Sequence, residues 1–141
     1  MSENNSLKQM ATQFVNRSPF NRWLGMSVLS ADEEGLVLTV KWREDFISSP
    51  EIRSTHGGIL AAIIDATGDY AVAIKVGHPV PTVDMRVDYH RVAYPGDLRA
   101  EGRVINLGKS MATAEARVLD ASGKLVASGR ALYLIRAPQG K

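Results

Sequence analysis

The chain contains no cysteine among its 141 residues. Disulfides and thiolate metal sites are therefore excluded. No run approaches the roughly 20 apolar residues of a membrane span, which excludes a transmembrane helix. The opening residues, MSENNSLKQMATQF, lack the basic start and apolar centre of a secretory signal, so a cytoplasmic location is expected. An excess of one sign of charge is also lacking, with 17 basic residues against 15 acidic ones. The net charge is only +2 although the pI is about 9.0, too little for the concentrated basic patch of a nucleic-acid-binding protein. The three histidines, His56, His78 and His90, fall far apart without ligand spacing, so no metal site is expected. There is no internal repeat, low-complexity segment or linker, and the length suits one domain spanning residues 1–141.

What is present reads as alternating short elements around one long apolar one. Leu7, Met10, Ala11 and Phe14 share a helical face, predicting a short helix over Leu7 to Val15 in an N-terminal helical extension, residues 1–19. Pro19 and Gly25 in NRSPFNRWLG break that pattern. Met26 to Ala31 and Leu36 to Trp42 predict a hairpin turned by DEEG, and REDFISSPEIRST predicts a loop. A helix is predicted from about Gly57 to Val76, capped by Ser54 or Thr55 and stopped by Gly77 and Pro79. Its apolar residues cover most of its circumference, as in an enclosed helix. Thr82 to Ala93 alternates, with Val83, Met85, Val87 and Tyr89 on one face. Leu98 to Asn106, Met111 to Leu119 and Leu125 to Ile135 follow, joined by short turns that only antiparallel neighbours permit. The fold class is therefore α+β: a curved antiparallel sheet of about six strands against one long central helix. Such a sheet leaves an open edge, and a dimer extending it is expected.

Within the enclosed helix stands a carboxylate, Asp65. An ionised carboxylate in apolar surroundings costs several kcal/mol unless paired or hydrogen-bonded. Gly58, Ala62, Asp65, Asp69, Val72 and Val76 form one line, smaller and more polar than the rest, as though facing a cleft. Asp69 is four residues from Asp65, and their repulsion is expected to raise one pKa. At the helix start, Gly57 and Gly58 leave backbone N–H groups open to an oxyanion or polarised carbonyl. A carboxylate base and an N–H oxyanion hole are what acyl-transfer hydrolysis requires. The two lie about 10 Å apart along the helix, a gap that two helices meeting across a symmetric dimer can close. His56 has a structural reading as well as a substrate-contacting one, and Thr82 is equally well an ordinary strand residue.

The stretch THGGILAAIIDATGDYA resembles the HGG…D signature of hotdog-fold acyl-CoA thioesterases, specifically their phenylacetate-pathway (PaaI-like) branch. The likeness extends from about Phe20 through the GDLRAEGRVINLGKSMATAEARV hairpin to the closing strand. It implies a hotdog fold, dimers with a continuous sheet that often assemble into tetramers, and active sites at the dimer interface. It also implies that the N–H of Gly57 polarises the thioester carbonyl. Asp65 of the partner subunit then acts as general base or nucleophile, with coenzyme A entering as part of the substrate and no separate cofactor. Many relatives place Asn or Gln some six residues before the HGG histidine; here that residue is Pro50, and Ser48, Ser49 or Glu51 are the available substitutes. Thr82 falls where relatives often carry a site hydroxyl. Substrate contacts are accordingly expected from His56, Gly58, Asp69, Thr82 and Ser49, with Arg91 and Lys109 toward the CoA phosphates. Two other functions fit the same pocket: a non-catalytic acyl-CoA binder or sensor, and an enoyl-CoA hydratase.

Overall fold

The computed structural model describes residues 2–135. Its elements run α1 (Glu3–Arg17), α2 (Pro19–Leu24), β1 (Met26–Asp32), β2 (Gly35–Val40), a 3-10 turn (Glu44–Phe46), β3 (Ile47–Ser49), β4 (Ser54–Thr55), α3 (Gly57–Val76), β5 (Thr82–Tyr89), β6 (Leu98–Leu107), β7 (Met111–Leu119) and β8 (Leu125–Leu134). Six strands form one antiparallel sheet in the order β1-β2-β6-β7-β8-β5, with β3 and β4 as a separate small hairpin. The last three strands are the expected meander. The order leaves β1 and β5 as edges, so the strand that follows α3 in sequence lies at the far side of the sheet.

Helix α3 lies across β6 and β7 and also reaches β2, β5 and β8. Leu60, Ile63, Ile64 and the run Tyr70 to Ile74 are buried, while Ala62, Asp65 and Asp69 on the small, polar line stay partly open. The helix comes closest where the sheet has no side chain. A Cβ on Gly102 of β6 would stand 2.7 Å from Thr67 Cγ2 and 2.9 Å from the Thr67 carbonyl oxygen. The second of these is backbone and cannot rotate away. Gly102→Ala is therefore expected to cost about 1–3 kcal/mol by overpacking, read as a lower urea midpoint with an unchanged slope.

Four local expectations change. The N-terminal helix is longer than Leu7 to Val15, because Ser2 caps it by accepting from the N–H of Asn5 at 3.2 Å. Pro19 does end the first helical pattern, since α1 stops at Arg17, but it also begins α2, where its missing N–H costs nothing. Asn21 of α2 then donates to Tyr70 Oη at 2.6 Å and to the Val15 carbonyl at 3.1 Å, tying both N-terminal helices to α3. The segment read as the loop REDFISSPEIRST contains the 3-10 turn and the β3–β4 hairpin. Strand β5 ends at Tyr89 and not Ala93, because beyond it the N–H groups of His90 and Arg91 both turn to the Val126 carbonyl.

Candidate active site

Ser54 and Thr55 do not cap α3; they form β4, and Thr55 Oγ1 accepts from Trp42 Nε1 at 3.0 Å. The cap is His56, whose Nδ1 accepts the N–H of Gly58 at 2.8 Å. The His56 carbonyl takes the N–H groups of Ile59 at 3.0 Å and Leu60 at 3.4 Å. Of the first four helix donors, only the Gly57 N–H is thus without an acceptor among the described residues. Two donors on the His56 carbonyl also polarise the peptide that carries this N–H, adding to the positive end of the helix dipole. The glycine pair is therefore not equivalent: Gly58 serves the cap, and Gly57 keeps the free donor.

A residue not singled out in the sequence closes over Gly57. Tyr89, at the end of β5, donates its hydroxyl to the Gly57 carbonyl at 2.8 Å. A Cβ on Gly57 would lie 3.3 Å from that ring. The alternation of β5 puts Tyr89 on the apolar face; the signal available in the sequence is only the polar tip of its ring, which needs a partner when covered.

Asp65 is held from two strands. Thr82 Oγ1, at the start of β5, donates to Asp65 Oδ1 at 2.6 Å. The Tyr133 hydroxyl of β8 donates to the Asp65 carbonyl at 2.8 Å and lies 3.4 Å from Oδ1. Burial first, then the charges of Asp65 and Asp69, push the Tyr133 phenol far up, so it remains a protonated donor. Oδ2 of Asp65 accepts no bond among the described residues and is free to meet water. Tyr133 falls within the predicted closing strand, Leu125 to Ile135, with nothing local to mark it; its ring is fully buried, yet its hydroxyl reaches the helix beside Gly68.

Asp69 accepts the Val80 N–H at 3.0 Å on Oδ1. Its carboxyl is pushed up to about 7, as expected in direction but for a different leading cause. Burial does most of it, the Val80 N–H opposes it, and the charge of Asp65 comes third.

The remaining candidates are dispersed. Ser49 Oγ turns to Glu51 at 3.2 Å, and Pro50 sits in the turn that Arg53, with φ of 60°, closes by donating its N–H to the Ser49 carbonyl at 2.7 Å. Arg91 is exposed just past β5, at the Gly57 end of the helix. Lys109 is exposed in the β6–β7 turn, near Leu107, which lines a cleft with Ile74 and Lys75 at the other end of α3. A hollow of about 470 Å³ lies on the outer face of the sheet among the Arg103–Glu115 and Arg117–Glu101 pairs. Those charges are matched within the sheet, and the hollow is separated by it from Asp65 and Gly57.

One arrangement thus places a supported carboxylate and a free helix N–H along the same edge strand, Thr82 at one end and Tyr89 at the other. The sequence profile of the thioesterase superfamily matches residues 54–127, which contain all of α3, β5, β6 and β7. The chain belongs to the thioesterase superfamily. Among solved members of that superfamily, one X-ray structure is 76% identical, covers 93% of this chain and 99% of its own, and superposes with a TM-score of 0.92. The Escherichia coli PaaI protein from the phenylacetic acid degradation operon shares the fold at 22% identity, with a TM-score of 0.82 over 94% of this chain and 98% of its own. The medium/long-chain acyl-CoA thioesterase YigI of Escherichia coli is 25% identical over 92% of this chain and 94% of its own. The six-stranded antiparallel sheet around α3 is the hotdog fold of this superfamily, as the HGG…D resemblance implied.

Proposed function

We propose that this thioesterase-superfamily protein hydrolyses an acyl-CoA thioester to a free acid and coenzyme A. The observation that carries the reading is the Asp65 carboxylate, fixed through Oδ1 and the main-chain carbonyl while Oδ2 stays open. Asp65 takes a proton from water, whose oxygen attacks the thioester carbonyl carbon. The Gly57 N–H donates to the oxyanion that forms. Collapse of the tetrahedral intermediate breaks the C–S bond, and the proton held on Asp65 passes to the departing thiolate.

Both groups act on one carbon only if two protomers combine. Strand β5 is an open edge, and its Val83 and Tyr89 are 52% and 55% exposed, unusual for large apolar residues on a strand. Antiparallel pairing of β5 with its two-fold mate sets Thr82, and with it Asp65, opposite the partner's Tyr89 and Gly57. This supports a homodimer with two shared sites, itself able to pair into a tetramer. His56 serves by holding the helix entry, while Gly58 and Arg91 border the Gly57 half. Lys109 is a phosphate contact only for a CoA that crosses toward the far end of α3. No helix among the described residues is long and apolar enough to cross a membrane.

A thiol-release screen over short, medium, long and aromatic acyl-CoAs tests the proposal. Turnover of at least one class is expected. Tight binding of acyl-CoA with no CoA released would instead indicate a binder, and loss of the enoyl absorbance of crotonyl-CoA would indicate a hydratase.

A further inference from the structure

Resting on the proposed hydrolysis with Asp65 as base, we propose that Asp69 is a positioning residue that acts through Val80 and Thr82 to hold Asp65 in its working orientation. The connection from α3 to β5 is GHPVP, residues 77–81, and its two prolines carry no N–H. Gly77 donates its N–H to the Ala73 carbonyl to end the helix. His78 turns its Nδ1 to the Pro79 carbonyl. The Val80 N–H, on a residue only 3% exposed, is bound by the Asp69 carboxylate. Two residues later, Thr82 returns to the same helix at Asp65.

The two contacts fit because of simple geometry. Four helix residues rise about 6 Å and two strand residues about 6.6 Å, so Asp65 and Asp69 face Thr82 and Val80 in matching steps. The strand start is further fixed by the Leu134 N–H on the Pro81 carbonyl at 3.0 Å, and by pairing of Thr82 with Tyr133. A register shift between Thr82 and Asp84 then separates Thr82 from the regular ladder, leaving its position dependent on the segment before it. That segment is anchored to the helix by Asp69.

A buried N–H needs only a neutral acceptor, and a buried carboxylate is the costlier way to supply one. The charge itself is therefore informative. The titratable groups that act with Asp69 are Asp65 and Tyr70 on its own helix and Tyr133 from β8, and none of them is a cation. With its carboxyl pushed up to about 7, Asp69 gains its charge as the solution passes neutrality. The ionised form binds the Val80 N–H more strongly than the acid does.

The test is steady-state kinetics with the best acyl-CoA of the panel, on wild type, Asp69→Leu, Asp69→Asn, Thr82→Val and the Asp69→Leu/Thr82→Val double variant, with Asp65→Asn alongside. Asp69→Leu is expected to lower kcat ~10-fold with KM changed less than ~3-fold, because it disturbs orientation and not binding. In the Thr82→Val background the same change is expected to lower kcat by less than ~2-fold, since the two residues act in series. Asp69→Asn keeps an acceptor for Val80; it is expected to restore most of the rate lost in Asp69→Leu and to lack the rise in wild-type kcat centred near pH 7. Multiplicative losses in the double variant overturn the inference, and so does a pH step that survives in Asp69→Asn, which covers an Asp69→Leu that does not fold. An inactive wild type, or an Asp65→Asn variant with full turnover, overturns the parent reading and this inference with it. An active, Asp65-dependent wild type whose kcat ignores Asp69→Leu overturns this inference alone.

Discussion

Asp65→Asn is expected to lower kcat by ~10³-fold while the melting temperature moves by no more than a few degrees. The substitution removes a proton acceptor and very little else. Asparagine is isosteric, and its Oδ1 can still accept the Thr82 hydroxyl that now binds Asp65 at 2.6 Å. The Tyr133 hydroxyl donates mainly to the main-chain carbonyl of residue 65, which the change does not touch. Packing of α3 on β6 and β7 depends on the opposite, apolar side of the helix and is also untouched. What is lost is the ability of the outer oxygen to take a proton from water. Thiol release by Asp65→Asn under saturating acyl-CoA, beside its thermal melt, checks this. Turnover within ten-fold of wild type would show that water is activated elsewhere.

How much of this site could be read from the sequence depends on the range of the interactions that build it. Gly57 and Asp65 were legible because each breaks a local pattern: a bare helix start and a charge in an apolar helix. The helix and the three-strand meander were legible from period and turn length alone. The partners of Asp65 were not, since Thr82 and Tyr133 come together only through pairing of β5 with β8, across 51 positions of sequence, with α3 laid over both. Tyr89 and Tyr133 both look like apolar strand residues, and only the fold shows where their hydroxyls point. The cap was misread for a different reason. Ser54 and Thr55 are the better intrinsic caps, but strand pairing with Ile47 and Ser49 takes them, and the imidazole next in line does the capping. Asp69 stood out as a second charge near the first, so repulsion was the natural explanation for its pKa. Burial outweighs that repulsion, a matter of how tightly the α3–β5 connection covers it.

Gly57→Pro isolates the other half of the site. A proline deletes the one N–H that the helix start leaves free, and the first helical position is where proline is best tolerated. The backbone already meets its requirements: His56, the residue before it, has φ of −59° and ψ of 133°, within the extended region that precedes proline. No hydrogen bond within the protein is lost, because the Gly57 N–H has no acceptor among the described residues. The obstacle is Tyr89, whose ring stands 3.3 Å from where the new Cβ would lie. A Tyr89→Ala background relieves it, at the loss of the hydroxyl bond to the Gly57 carbonyl. Removing a single oxyanion donor in this way is expected to lower kcat by 10²–10³-fold, about 3–4 kcal/mol of transition-state stabilisation, relative to Tyr89→Ala alone. KM should change far less, since a ground-state thioester carbonyl gains little from the donor. If the double variant turns over as fast as Tyr89→Ala, the helix N-terminus is not where the oxyanion sits. Mixed dimers carry the argument to the shared site: one protomer with Gly57→Pro and Tyr89→Ala, the other with Asp65→Asn, leave a single intact pairing of Gly57 and Asp65. Such a heterodimer is expected to recover about half the wild-type rate, whereas sites contained within one protomer would recover none.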